Sequence, residues 1–75
     1  MESINKILEE HDVNIDIKEL IYIINHHKLF TIWKIVGDIT IILTSYKYTY
    51  YFHIIKKIND SDIETIYIGE IKKDN

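Results

Sequence analysis

Apolar residues recur at helical spacing in the first third of the chain. One stripe consists of Met1, Ile4, Ile7, Leu8 and His11. Most of its members are three or four residues apart. This spacing places side chains on one face of an α-helix, so we expect an amphipathic helix over residues 2–11. The acidic Glu2 in its first turn suits the positive end of the helix dipole.

A second helix is predicted from Asp16 to about residue 27. Asp16 suits the N-cap position, and Glu19 three residues later resembles a capping box. The inward stripe of this helix comprises Ile17, Leu20, Ile21 and Ile24. A second interpretation stays open, because apolar and polar residues alternate over 13–17, as in a short strand that precedes a shorter helix.

From Leu29 onward the pattern is typical of β-strands. Four segments rich in β-branched and aromatic residues are predicted as strands: 29–36, 39–45, 48–58 and 63–71. Gly37-Asp38 favours a type II′ hairpin turn, and 59–62 is a polar turn cluster. Connections this short join adjacent antiparallel strands. We therefore expect a single α+β domain over residues 1–75, with two N-terminal helices packed on one face of a four-stranded antiparallel meander.

The predicted strands carry more apolar side chains than one layer of helices can cover. In the first strand, Trp33 and Ile35 point to one side, while the other side holds Phe30, Ile32 and Val36. Two short helices cover one face, so the second face is expected to expose aromatic and isoleucine side chains, as interaction surfaces do. The alternative is a strongly curled sheet that hides them. The pattern leaves open which face carries the helices.

The composition limits the class of protein. The chain has 75 residues and 19 isoleucines but no alanine, arginine, glutamine, cysteine or proline, which indicates an AT-rich gene from a virus, a phage or a low-GC bacterium. The lack of cysteine excludes disulfides and thiolate metal sites. The apolar runs are too short to span a bilayer, and residues 1–10 lack the apolar region of a signal peptide. We expect a soluble, cytoplasmic protein, in the host cell if the gene is viral.

The sequence offers no motif for catalysis or for binding a cofactor or metal. Its histidines lack metal-ligand spacing, and its serines lie outside a nucleophile motif. Two glycines are too few for a phosphate-binding loop. Asp60, Asp62 and Glu64 fail the EF-hand pattern, because Thr65 and Ile71 stand at its sixth and twelfth positions. We therefore expect a protein that is not an enzyme and needs no cofactor.

Charge is distributed in blocks along the chain. Residues 28–57 carry five lysines and one acid, whereas the flanking segments are acidic and the whole chain has a net charge of −3. Lysines and aromatic side chains therefore share the predicted sheet. Such a face could neutralise phosphates and stack bases, so a single-stranded nucleic-acid-binding protein is the alternative function. The net negative charge opposes long-range attraction to a polyanion.

The function that the sequence favours is a small protein-binding module, encoded by a phage or virus, that inhibits a host defence protein by occupying its surface, as anti-CRISPR-like proteins do. The residues predicted to contact the partner are Trp33, Lys47, Tyr48, Tyr50, Tyr51, Lys56 and Lys57. The aromatic residues would anchor the partner and the lysines would steer an acidic patch towards them. A homodimer would cover the surplus apolar face without a foreign partner. No membrane partner is expected.

Overall fold

Two helices precede four strands in the computed structural model, which describes residues 2–74. The elements are α1 (Glu2–Glu10), α2 (Ile17–His26), β1 (Thr31–Val36), β2 (Ile39–Tyr46), β3 (Thr49–Lys57) and β4 (Ile63–Lys72). The strands lie in the order β1-β2-β3-β4, and each pairs antiparallel with the next. The predicted α+β fold is confirmed. Met1, which was assigned to the first helical stripe, lies outside the described residues, as does Asn75.

Both helices end on a non-glycine residue with a positive φ, Asp12 at 56° after α1 and Lys28 at 53° after α2. The Val13 N–H donates to the carbonyl of Leu8 at 2.8 Å, which is the long bond of a Schellman motif. An equivalent bond closes α2, where the Leu29 N–H donates to the carbonyl of Ile24 at 2.9 Å. Because Leu29 completes this cap, the first strand begins at Thr31 and not at residue 29 as predicted.

The predicted N-cap of α2 is confirmed. The Asp16 side chain accepts a hydrogen bond from the backbone N–H of Lys18 at 3.0 Å. Glu19 lies in the first turn, where its negative charge suits the helix dipole. Residues 13–16 form neither helix nor strand, so the alternative of a short strand over 13–17 is wrong. Val13 is nevertheless buried, because the cap of α1 turns it inward.

The core lies between the helices and one face of the sheet. Its buried members are Ile4, Leu8, Val13, Ile17, Leu20, Ile24, Ile39, Ile41, Leu43, Tyr50, Phe52 and Ile54. In β2 and β3 these residues alternate with more exposed ones, as the period of a strand requires. This alternation identifies Ile41, Leu43 and Phe52 as members of the face that the helices cover.

A β-bulge in β4 changes which side chains share a face. The pairing with β3 shifts between Ile54 and Ile55, so that Tyr67 pairs with Ile54 and Thr65 with Ile55, and Ile66 is the extra residue. Ile66 and Tyr67 are both half-buried against the core. Residues on the N-terminal side of the bulge are consequently turned to the opposite face from the one that simple alternation would give.

Two hairpin turns join β1 to β2 and β2 to β3. Gly37, at the first position of the predicted Gly37-Asp38 turn, has a φ of +59°, as a type II′ turn requires there. The second turn is formed by Lys47 and Tyr48, with Tyr46 paired to Thr49 across its base. Lys47 also has a positive φ, 51°. This turn lies one residue later than the predicted strand bounds imply.

No helix within residues 2–74 is long and apolar enough to cross a membrane.

Candidate protein-binding surface

Within residues 2–74, one face of the sheet carries no helix, and we call it the open face. It is formed by Thr31, Trp33 and Ile35 of β1, Thr40, Ile42, Thr44 and Tyr46 of β2, Thr49, Tyr51, His53, Ile55 and Lys57 of β3, and Ile63, Thr65, Ile68, Glu70 and Lys72 of β4. Several of its apolar side chains are exposed, as the surplus of apolar residues in the strands predicts. A large exposed apolar patch on a small protein is the feature that marks an interaction surface.

A row of four residues crosses the centre of the open face. Trp33 pairs with Ile42, Ile42 with His53, and His53 with Ile68, so the row contains one residue from each strand. The two outer members are the most prominent, with Trp33 64% and Ile68 74% exposed, whereas Ile42 and His53 are half-buried. The surface is therefore high at both edges of the sheet and lower between them.

The low centre of the row opens into a shallow depression of about 250 Å³. The surrounding residues are Ile42, Thr44, Tyr51, Phe52, His53, Ile68 and Gly69. Phe52 and Gly69 pair on the helix side of the sheet, so they border the depression with backbone atoms and not with side chains. The His53 Nε2 atom lies 2.9 Å from Thr65 Oγ1, which holds the imidazole in place beside the depression. The bulge makes this contact available, because it turns Thr65 to the open face.

The charges on the open face lie near its ends and have partners. Among residues 2–74, the charged side chains there are Lys57, Glu70 and Lys72. Lys57 Nζ is 3.5 Å from the Asp60 carboxylate, and Lys72 Nζ is 3.4 Å from that of Glu70. Exposed ion pairs of this kind contribute little to stability. They leave the central row without a charged side chain.

Three of the seven predicted contact residues lie on the open face. Trp33 is in the central row, Tyr51 borders the depression, and Lys57 stands at the end of β3. The two aromatic side chains are exposed, so a partner could reach them.

Two further predicted residues lie on the helix side of the sheet. Tyr50 is 9% exposed, and its hydroxyl accepts a hydrogen bond from Asn25 Nδ2 of α2 at 2.6 Å. Lys73 Nζ lies 4.9 Å from the centre of the Tyr50 ring. Lys56 pairs with the buried Ile39 and borders a polar cleft next to the end of α1. The structure therefore separates Tyr50 and Lys56 from the other predicted residues.

Lys47 and Tyr48 form the β2–β3 turn at one end of the molecule. Tyr48 is 68% exposed, and Lys47 Nζ lies 5.4 Å from the centre of the Tyr46 ring. The Tyr46 ring also meets Phe30 edge to face, with 6.2 Å between centroids. This aromatic end adjoins the open face through Tyr46, whereas Tyr48 belongs to the turn and to neither face.

Sequence reasoning missed Ile63, His53 and Ile68 as members of the surface. Simple alternation along β4 places Ile63 on the face opposite to Ile68, and only the bulge brings both to the open face. His53 lies in the predicted strand 48–58, but its position in the central row depends on the register. No local signal reports either feature.

The described residues contain no group of three or more histidine and acidic side chains that could hold a metal ion. His26 and His27 meet edge to face, 5.0 Å apart, while Tyr22 stacks on His26. Comparison of the chain with protein-family models, curated proteins and solved structures found no match.

Proposed function

We propose that this protein is a non-catalytic protein-binding module and that the open face is its binding surface. The observation that carries the proposal is the central row, in which Trp33 and Ile68 protrude beside a shallow apolar depression. Tryptophan and tyrosine are the residues that most often dominate binding energy at protein interfaces. Their exposure on one contiguous sheet face supports an interface more than it supports an isolated monomer in water.

The distribution of charge favours a protein partner over a nucleic acid. A surface that follows a phosphate backbone needs unpaired lysines along the path of the strand. On the open face Lys57 and Lys72 each lie beside a carboxylate, and Lys56 points to the helix side. The residue paired with Tyr51 is Glu70, so one of the exposed rings on which bases would stack lies opposite a carboxylate.

The inhibitor prediction is the finer form of this proposal. A phage or virus protein that binds a host defence protein through the open face would act sterically, because the covered surface is closed to other molecules. The AT-rich composition supports such an origin. Trp33 and Tyr51 would then anchor the host protein.

A photo-crosslinking residue placed on each side of the molecule tests the proposal. It would replace Ile35 on the open face in one variant and Tyr22 on α2 in a matched control, since both side chains are well exposed. In cells that express the gene, we expect a covalent adduct with a protein from the Ile35 position and none from the Tyr22 position. No adduct from either variant, or an adduct from Tyr22 only, would contradict the proposal.

A titration of labelled single-stranded DNA and RNA tests the alternative. Fluorescence anisotropy at low salt gives electrostatic binding its best chance. Under the proposal we expect no change in anisotropy. Tight binding that weakens steeply with salt and is lost in Trp33→Ala would instead make the open face a nucleic-acid-binding surface.

A further inference from the structure

We infer that the partner of the open face is a second copy of this chain, bound about a two-fold axis. This inference rests on the proposed function, since it uses the same surface. The first reason is shape. The open face carries both a protruding side chain, Trp33, and a depression of about 250 Å³ centred on β3. A two-fold interface requires each copy to carry both complementary features on one surface.

The strand register shows where the axis would lie. Rotation by 180° about an axis along β2 places β1 of one copy above β3 of the other, because both strands are direct neighbours of β2. Trp33, Ile42 and His53 share one row, so this rotation brings Trp33 above His53 of the second copy. That position is the depression. Ile42 would lie on the axis and meet its own counterpart.

The second reason is area. The most exposed apolar side chains of the open face are Trp33, Ile35, Tyr46, Tyr51, Ile63 and Ile68. Because the axis lies along β2, no strand of the second copy lies above β4, and the four of these side chains on β1, β2 and β3 present roughly 500 Å² to solvent. Over both copies this is about 1,000 Å², the lower limit for a specific interface, so the open face is large enough for a dimer that forms as the concentration rises.

The third reason is charge. The chain has a net charge of −3, which would oppose self-association if the acids met across the interface. On the open face Glu70 is paired with Lys72, and the remaining charge of Lys57 is at the end of β3 beside Asp60. The central row contains no lysine and no acidic side chain. Two copies can therefore approach through this face without juxtaposed carboxylates.

A foreign partner would compete with the second copy for the open face. A complex with a host protein would accordingly contain one copy of this chain, released from the dimer. The proposed inhibitor and the dimer are thus two occupants of one surface, and the mass of a complex distinguishes them.

Light scattering of the purified full chain over a range of concentrations tests the inference, with the emission of its single tryptophan recorded in the same samples. We expect a mass of twice 9.0 kDa for the wild type, with a blue-shifted Trp33 emission as the indole is covered. Ile68→Lys should have the mass of one chain and a red-shifted emission. The control Tyr22→Lys changes an exposed residue of α2 and should remain dimeric. Circular dichroism confirms that both variants fold.

Complementation tests the contact between Trp33 and the depression. Trp33→Ala removes the protruding side chain, and Thr44→Tyr fills the depression. Each variant should lose the dimer when measured alone. An equimolar mixture should regain it in part, since Trp33 of the filled variant can enter the open depression of the truncated one. A mixture that stays monomeric would overturn this packing.

A wild type with the mass of one chain and an unchanged emission at every concentration would overturn the dimer. So would a mass that rises without limit, because a two-fold interface closes on itself. The Ile35 crosslink then separates the two proposals. An adduct of twice the chain mass supports the second copy, whereas an adduct of another mass leaves the proposed function standing without the dimer. No adduct contradicts both.

Discussion

Tyr48 and Tyr50 show how far a residue's role follows from its place in the sequence. Both were predicted to contact a partner, since they are aromatic and two positions apart in a predicted strand. In the structure Tyr48 belongs to a turn, whereas Tyr50 is buried and bonded to Asn25. The two residues of that hydrogen bond are 25 positions apart. Alternation along the strand places Tyr50 on the same side as Phe52, but it leaves open which side the helices cover and contains no information about Asn25.

The Tyr50 hydroxyl should contribute to stability and the Tyr48 hydroxyl should not. We expect Tyr50→Phe to lower the free energy of unfolding by about 1 kcal/mol, because it leaves the Asn25 amide without its acceptor. The matched variant Tyr48→Phe changes an exposed hydroxyl and should lie within about 0.5 kcal/mol of the wild type. Urea denaturation measures both. Equal effects of the two substitutions would show that the Asn25 contact is not stabilising.

At the scale of the element, the strands and both helices were predictable, but their ends were less so. The β-branched residues of 39–45 identified β2 correctly. Helix ends are normally signalled by glycine, and Asp12 and Lys28 occupy the left-handed positions where glycine is usual. The bulge at Ile66 depends on pairing with β3 and has no glycine or proline to announce it. These features arise from contacts between elements, which hydrophobic periodicity does not record.

Replacing Asp12 by glycine should stabilise the protein. Its φ of 56° is unfavourable for a residue with a Cβ, so Asp12→Gly should raise the free energy of unfolding by about 0.5–1 kcal/mol. Lys6→Gly is the control, because Lys6 is exposed within α1 and glycine there should cost about 1 kcal/mol. Chemical denaturation gives both values. A loss of stability in Asp12→Gly would mean that its side chain matters more than its backbone.

The two hairpin turns allow a comparison of glycine and a non-glycine residue at the same turn position. Gly37 and Lys47 both occupy the first turn position with positive φ, 59° and 51°. A Cβ at Gly37 would meet no atom within 4 Å, so Gly37→Ala would cause no steric clash. The substitution should lower the free energy of unfolding by about 1 kcal/mol, because a residue with a Cβ disfavours the positive φ. Lys47→Gly should raise the free energy of unfolding by about 0.5–1 kcal/mol, because glycine adopts the positive φ at this position without strain. Thermal unfolding of the two variants measures the difference, and shifts of the same sign would contradict this account of the turns.

At the scale of the whole molecule, the sequence predicted that one sheet face would expose apolar side chains. The surplus was visible because helices of this length cover a single face, and Trp33 and Ile35 were correctly placed together. It could not place Ile63 and Ile68 on that same face, since the bulge decides this. Nor could it show the depression beside Trp33, which needs the register of three strands. The hydrophobic pattern of the sequence thus predicts that an apolar surface is exposed, whereas the pairing of the strands determines the shape of that surface.

The stability of the whole molecule should depend on its concentration. A domain of 75 residues buries only roughly 60% of its unfolded surface and is therefore marginally stable by itself. If folding is coupled to pairing through the open face, each tenfold increase in concentration stabilises the folded dimer by about 1.4 kcal/mol, which raises the melting temperature by about 3–5 °C. Differential scanning calorimetry over such a series measures the shift. Ile68→Lys should melt at one temperature throughout, because a monomer unfolds without a change in the number of particles. A wild type whose melting temperature is equally constant would mean that the exposed row of Trp33 and Ile68 contributes nothing to folding through a second copy.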